Sequence, residues 1–357
     1  MSGQREGFKE MATWVNGWGK LLPFLGMLMA MLTQSGSMVV IKFAMTDGMN
    51  KYVMVVYSMA LSSSILLPFV LFLHRSELPL LTVPALGSFF LLALFASSAH
   101  IMAYVGIELS SPTLASAILN VIPAFTFVLA LIFRMEEVHW RYFSSQAKVL
   151  GTIVSIGGAF VVILYKGPPI FRTHSSYTSN KLQFSAQPNW ILGGIFLVAD
   201  SFLSSMWYIY QASVAKKYPA VTVIVFFQFL FSTIQCGVFA LIAVRDPTEW
   251  ELKFDRGLSV ILYQAIVATM LRYTLTTWCV HRAGPLFCAM FKPVGIIFTV
   301  SMSAIFLGEN FGLGSLIGAV IIVIGFYAVL WGNSREENKI ENLESSSHNA
   351  PLLQDRS

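Results

Sequence analysis

A 25-residue apolar segment of this chain recurs, ungapped, 173 residues further on. Residues 112–136 read PTLASAILNVIPAFTFVLALIFRME and residues 285–309 read PLFCAMFKPVGIIFTVSMSAIFLGE. Seven of the 25 positions are identical: Pro112/Pro285, Val121/Val294, Phe125/Phe298, Thr126/Thr299, Ile132/Ile305, Phe133/Phe306 and Glu136/Glu309. Apolar sequences match one another easily, so the prolines and glutamates that bound the segment carry most of the weight. A fixed-period repeat constrains a fold strongly, because it requires two parts of the chain to adopt one structure. Each copy is long enough to cross a bilayer. Each also holds an internal proline, Pro123 in the first and Pro293 in the second.

The solvent of this chain follows from its charge. Only 11% of the 357 residues are charged, against about 25% in soluble domains, and the mean hydropathy is +0.69. Such a chain cannot cover its surface with charge, so a bilayer is the expected environment. Ten apolar runs of near-spanning length are legible, at about 21–43, 52–73, 85–107, 113–133, 147–165, 190–212, 221–244, 258–280, 286–306 and 313–331. The first run is too long for a signal-peptide core and reads as a membrane anchor. The expected fold is an all-α integral membrane protein with ten transmembrane helices.

Five spans separate the two copies of the repeat. An odd number inverts direction, so spans four and nine run oppositely and the chain reads as two inverted five-helix halves. Gly151 and Gly158 in span five match Gly318 and Gly325 in span ten at the same spacing of seven. The expected organisation is a cytosolic tail at 1–20, a first half at 21–168 and a polar extracytosolic loop at 169–189. A second half follows at 190–332, then a disordered cytosolic tail at 333–357. With both termini inside, inner segments hold 13 Lys and Arg and outer segments hold 7. Without the tails the loops tie, so this orientation rests on the tails.

Inverted repeats are a recurrent design of secondary transporters, with the substrate near the midplane and alternating access by rocking of the halves. Charged side chains at that depth cost about 2.5–3.5 kcal/mol each on insertion scales and should face the interior. Asp200, Ser204, Trp207 and Gln211 fall on one face of span six. Asp200 reads as an ammonium site or a proton-coupling carboxylate, or else as the structural partner of Lys292 or Arg272. Lys292 precedes Pro293, and Asn120 lies near Pro123. Each is a polar group beside a broken backbone, and the two read as half-site contacts, with Lys292 taking a carboxylate. The plainer alternative is that both prolines are kinks and hinges that shape the bundle. Arg272 would bind a carboxylate bidentately or pair with Asp200. His100 would line the cavity or be a satisfied core histidine. Gln34 is a cavity candidate, and Lys42 snorkels to the membrane face. The glycines of spans five and ten, Gly157 and Gly314 included, read as scaffold or as the face of a homodimer. Glu136 and Glu309 read as helix-end caps or as a gate.

Other classes lack material. There is no metalloprotease helix, no nucleophile elbow and no Walker-type loop, so neither enzyme nor ATP-driven pump is expected, and no cofactor or metal. Cys236, Cys279 and Cys288 all sit in apolar spans. The net charge of +5 comes without a basic run interleaved with aromatics, so nucleic acid is not an expected partner.

In combination, several stretches resemble one family. They are Gln34, Gly36 and Lys42; Tyr57 and Pro68; residues 110–137; and Lys148, Gly151 and GGAFVVILYKGP at 157–168. In the second half they are Tyr218-Pro219, Trp278, AGPLF at 283–287, Pro293, LGE at 307–309 and the run at 313–332. The chain resembles the plant nodulin-type EamA transporters, the UMAMIT or walls-are-thin-related group of the drug/metabolite transporter superfamily. Many members carry Tyr-Arg in span two, where this chain has Tyr57-Ser58. The resemblance implies two EamA repeats and movement of amino acids, or in some members auxin, across the plasma membrane or an internal membrane such as the vacuole's.

Overall fold

The structure, a computed structural model, describes residues 21–41, 44, 48–73, 82–109, 118–135, 143–165, 169–171, 188–218, 220–251, 256–306 and 311–348. The expectations placed on residues 1–20, Lys42, Pro112, Glu136, Glu309 and most of the loop at 169–189 lie outside the described residues.

The helices follow the apolar runs. They are α1 Leu21–Ile41, α2 Lys51–Leu73, α3 Val83–Leu109, α4 Ile122–Ile132 and α5 Phe143–Leu164. In the second half they are α6 Pro188–Lys217, α7 Val221–Ala243, α8 from Arg256 to Ala283, α9 from Pro285 to Phe306 and α10 Leu313–His348. Among the described residues, α1, α2, α3, α6, α7 and α8 are long and apolar enough to cross a membrane by themselves. Their outward faces are apolar, with Phe72 of α2 at 83% and Ile191 of α6 at 69% exposure. This suits a chain whose outer solvent is hydrocarbon.

The shorter helices are short for a reason written in the sequence. Proline lacks the N–H that the helix ladder needs. Pro123 therefore leaves the carbonyl of Leu119 without its helical donor, and Pro293 does the same to Ala289. In α4 the chain turns at Asn120 and Val121 before Ile122. In α9 it turns at Phe291, between Pro285–Met290 and Lys292–Phe306. A third break was not legible: α8 holds a π-helix at Gln264–Leu271, between Arg256–Tyr263 and Arg272–Ala283. The last helix also differs from expectation. It runs through His348, although a disordered tail was expected from residue 333. Glutamate, lysine and leucine, good helix formers, continue the helix beyond the apolar face.

The inversion is visible in how α5 meets α10. Gly151 sits against Gly325 and Gly158 against Gly318, so the two equivalent helices run antiparallel. A Cβ on Gly151 would lie 2.6 Å from the Gly325 carbonyl oxygen, and one on Gly325 would lie 2.6 Å from that of Gly151. The contact reads the same from either side, as a two-fold axis in the membrane plane requires. Its centre is the bond from Ser155 Oγ to the Ile322 carbonyl at 3.0 Å, between residues 167 apart, the same offset that separates Gly151 from Gly318. Gly151, Gly158, Gly318 and Gly325 are thus consumed within the chain, whereas an added Cβ at Gly157 would meet nothing within 4 Å. A short ribbon, β1 Pro169–Phe171 with β2 Phe311–Gly312, extends the pair antiparallel beyond α5 and before α10. The main core lies between α1, α2, α3, α6, α7, α8 and α9, around Met31, Phe89, Trp207, Phe229, Tyr273 and Phe291.

Candidate functional site

Two carbonyls at the broken helices tie the halves together. The Ile122 carbonyl accepts from Thr126 Oγ1 at 2.9 Å and from Ser205 Oγ of α6 at 3.1 Å. The Gly295 carbonyl accepts from Thr299 Oγ1 at 2.9 Å and from Ser35 Oγ of α1 at 3.0 Å. Ile122 and Thr126 plus 173 are Gly295 and Thr299, so one latch is built twice. Each latch docks a broken helix onto the first helix of the opposite half, α4 on α6 and α9 on α1. One wall of the space beside the breaks is formed by Pro123, Met290 and Pro293, with Ser155 and Phe326 from the α5/α10 pair.

The polar residues beside the latches do not obey the symmetry. Lys292 Nζ donates to Gln34 Oε1 at 3.1 Å and stands 5.9 Å above the ring of Tyr208. The position equivalent to Lys292 in the first half is Leu119, just before the turn that leads into α4. Ser204 Oγ donates to Asp200 Oδ1 at 3.3 Å, and Asp200 is only 4% exposed. Arg272 begins the last section of α8. Its Nε donates back to the Ala268 carbonyl of the π-helix at 2.8 Å, and its guanidinium lies 4.4 Å from the centre of the Tyr273 ring. Lys292 lies within electrostatic reach of both Asp200 and Arg272. Among the described residues, none of these three forms an ion pair within 4.0 Å. Their charges are close but not directly neutralised.

Aromatic rings fill the space between the charges. Trp207 meets Tyr208 edge-on at 4.9 Å and Tyr273 at 5.6 Å. Tyr273 also meets Phe229 at 5.5 Å. His100 is fixed at both nitrogens. Nδ1 lies 2.8 Å from the Ala96 carbonyl, which can only accept, so Nδ1 carries the proton. Nε2 lies 3.4 Å from Tyr273 Oη. Asn120, in the turn of α4, is 2% exposed.

The structure therefore brings Gln34, His100, Asp200, Ser204, Trp207, Arg272 and Lys292 around one centre, with Asn120, Pro123 and Pro293 at the breaks. Tyr208 and Tyr273 were not singled out in the sequence. Tyr273 could have been, since it stands 173 residues from His100. Tyr208 gave no signal beyond adjacency to Trp207. The glutamine that extends the polar stripe, Gln211, is completely buried and donates to Thr277 Oγ1 at 2.6 Å, joining α6 to α8.

Two inverted halves around a charged centre inside the hydrocarbon define a membrane transporter. Comparison with known proteins gives the family. The model of the EamA-like transporter family matches residues 21–164 and again residues 191–331. The chain belongs to the EamA-like transporter family and carries its domain twice. A WAT1-related protein of Arabidopsis thaliana is 40% identical over 356 residues, covering 98% of this chain and 96% of the relative. A second WAT1-related protein of Arabidopsis thaliana is 40% identical over 351 residues, covering 96% of this chain and 99% of the relative. A solved crystal structure superposes with a TM-score of 0.65 over 90% of this chain and 99% of the other, at 12% identity. That likeness concerns the fold alone.

Proposed function

We propose that this membrane transporter moves small zwitterionic metabolites, amino acids above all, by alternating access about the axis that relates its halves. The observation that carries the reading is the separation of Asp200 from Lys292 and Arg272. Unpaired buried charges are costly, and removing them from water is repaid only by a well-placed counter-charge. An α-amino acid supplies both counter-charges in one molecule. Its carboxylate would sit at Lys292 and Arg272, and its ammonium at Asp200. The latches at Ile122 and Gly295 would let each broken helix move with the first helix of the opposite half.

The test is uptake of labelled amino acids into liposomes holding the purified protein, at two external pH values. Saturable uptake that falls with Asp200→Asn and with Lys292→Met supports the reading. No movement of any amino acid by inserted protein overturns it. Uptake that depends on a proton gradient would add protons as the coupling ion.

A second reading, an auxin-like aromatic acid, is favoured by the rings of Trp207, Tyr208 and Tyr273 beside two cations. Such an acid has no ammonium group, so Asp200→Asn would spare its transport while abolishing that of a zwitterion. We place the protein in the plasma membrane with cytosolic termini, on the excess of Lys and Arg in the tails and on the family resemblance. Fluorescent tags at both termini would distinguish this from the vacuolar membrane.

A further inference from the structure

Trp207 carries a buried hydrogen-bond donor that no group among the described residues satisfies. The side chain is 6% exposed, and its Nε1 has no partner. An indole N–H can only donate. Buried polar groups in native proteins are nearly always paired, because an unpaired donor forfeits its hydration and receives nothing for it. The rest of the ring is held firmly, packed on its own neighbour Tyr208 and across to Tyr273 of α8. The N–H therefore has a fixed position and, among the described residues, no acceptor.

The surroundings say which acceptor. The two tyrosines that hold Trp207 are the same two that lie beneath Lys292 and Arg272. Three donors of different kinds, an indole, an ammonium and a guanidinium, thus stand around one pair of rings. Each of the cations has donors left over. Lys292 spends one of its three N–H groups on Gln34, and Arg272 spends Nε on Ala268. An ammonium ligand is repelled by such a group, and a neutral hydroxyl uses it poorly. A planar oxyanion with two acceptor oxygens matches it.

We infer that Trp207 Nε1–H is a ligand of the carboxylate of the transported molecule and acts beside Lys292 and Arg272. This rests on the proposed reading that the centre binds a carboxylate-bearing substrate, zwitterion or aromatic acid alike. It adds that the indole is a specificity-determining donor rather than a hydrophobic wall.

The experiment is initial-rate uptake into liposomes by wild type, by Trp207→Phe and by protein with 3-benzothienylalanine at position 207. That last residue keeps the bicyclic shape and replaces the N–H by sulfur. Hydrogen bonds to charged groups are strong enough that their loss raises KM by about tenfold or more. The expected result is that rise in both variants, with the loss falling on KM rather than on Vmax per inserted molecule. Unchanged KM in the sulfur analogue overturns the inference, as does a fall in Vmax alone, which is the mark of a packing role. If Trp207→Phe does not insert, the sulfur analogue decides by itself. Failure of the underlying reading looks different: wild-type protein would then move no carboxylate-bearing substrate at all.

Discussion

His100 and Tyr273 stand 173 residues apart, the offset of the repeat, and they touch. Tyr273 Oη lies 3.4 Å from His100 Nε2, and the two rings are stacked with centres 6.5 Å apart. The pair joins α3 of the first half to α8 of the second, beside the charged centre. A double-mutant cycle with His100→Phe and Tyr273→Phe should give a coupling of about 0.5–1.5 kcal/mol, the range of a neutral hydrogen bond. Thermal unfolding of the four proteins in detergent measures it. Strict additivity would show that the contact carries no energy.

The charges at the centre should behave as functional groups, not as structural ones. Lys292→Met removes a charge that no carboxylate contacts directly, so the melting temperature should hold or rise because desolvation is relieved. Transport should fall at least about tenfold, the loss expected when a charged substrate group loses its partner. Paired unfolding and uptake measurements on one preparation decide this. A fall in melting temperature with transport retained would make Lys292 part of the scaffold.

The glycine seam predicts a contrast between two neighbouring positions. Gly151→Leu forces α5 away from the Gly325 carbonyl and should destabilise the protein by about 1–3 kcal/mol, as overpacking does. At Gly157 an added Cβ meets nothing within 4 Å, so Gly157→Ala should leave stability unchanged or slightly raised. Size-exclusion profiles after graded heating compare the two. The two positions had looked alike in the sequence.

A pH effect is expected outside the membrane, at the turn after α7. Asp246 Oδ1 accepts from Thr248 N at 3.0 Å and from Thr248 Oγ1 at 2.8 Å, and caps the 3-10 helix Pro247–Trp250. The backbone bond first, and then the hydroxyl bond, hold the Asp246 carboxyl below its usual range. A depressed folded-state value means that the cap is fully made above the ordinary carboxylate range and is lost as pH falls through that lower value. The turn matters to the bundle because Tyr57 Oη of α2 donates to the Trp250 carbonyl at 2.7 Å. Hydrogen exchange at Thr248 should therefore rise, beyond its intrinsic change, in strong acid. Asp246→Ala should show the raised exchange already at neutral pH.

The number of helices, their inversion and the identity of most central residues could be read from one dimension. Transmembrane spans are set by length and apolarity alone, because each helix satisfies its own backbone in a medium without water. An odd number of spans between repeats fixes their relative direction by counting. Intramembrane charge is rare enough that Asp200, Arg272 and Lys292 stand out without any knowledge of their neighbours. What surrounds each of them depended on packing between segments far apart in the chain. Only the folded molecule placed Gln34 on Lys292 across 258 residues, kept Asp200 out of ion-pair distance of both cations, and left Trp207 Nε1 without an acceptor. The π-helix before Arg272 was equally unreadable, since an extra residue in a helical turn leaves no mark on composition or period. Repetition in the sequence set the symmetric frame, and the side-chain contacts that break the symmetry arose where the two halves meet.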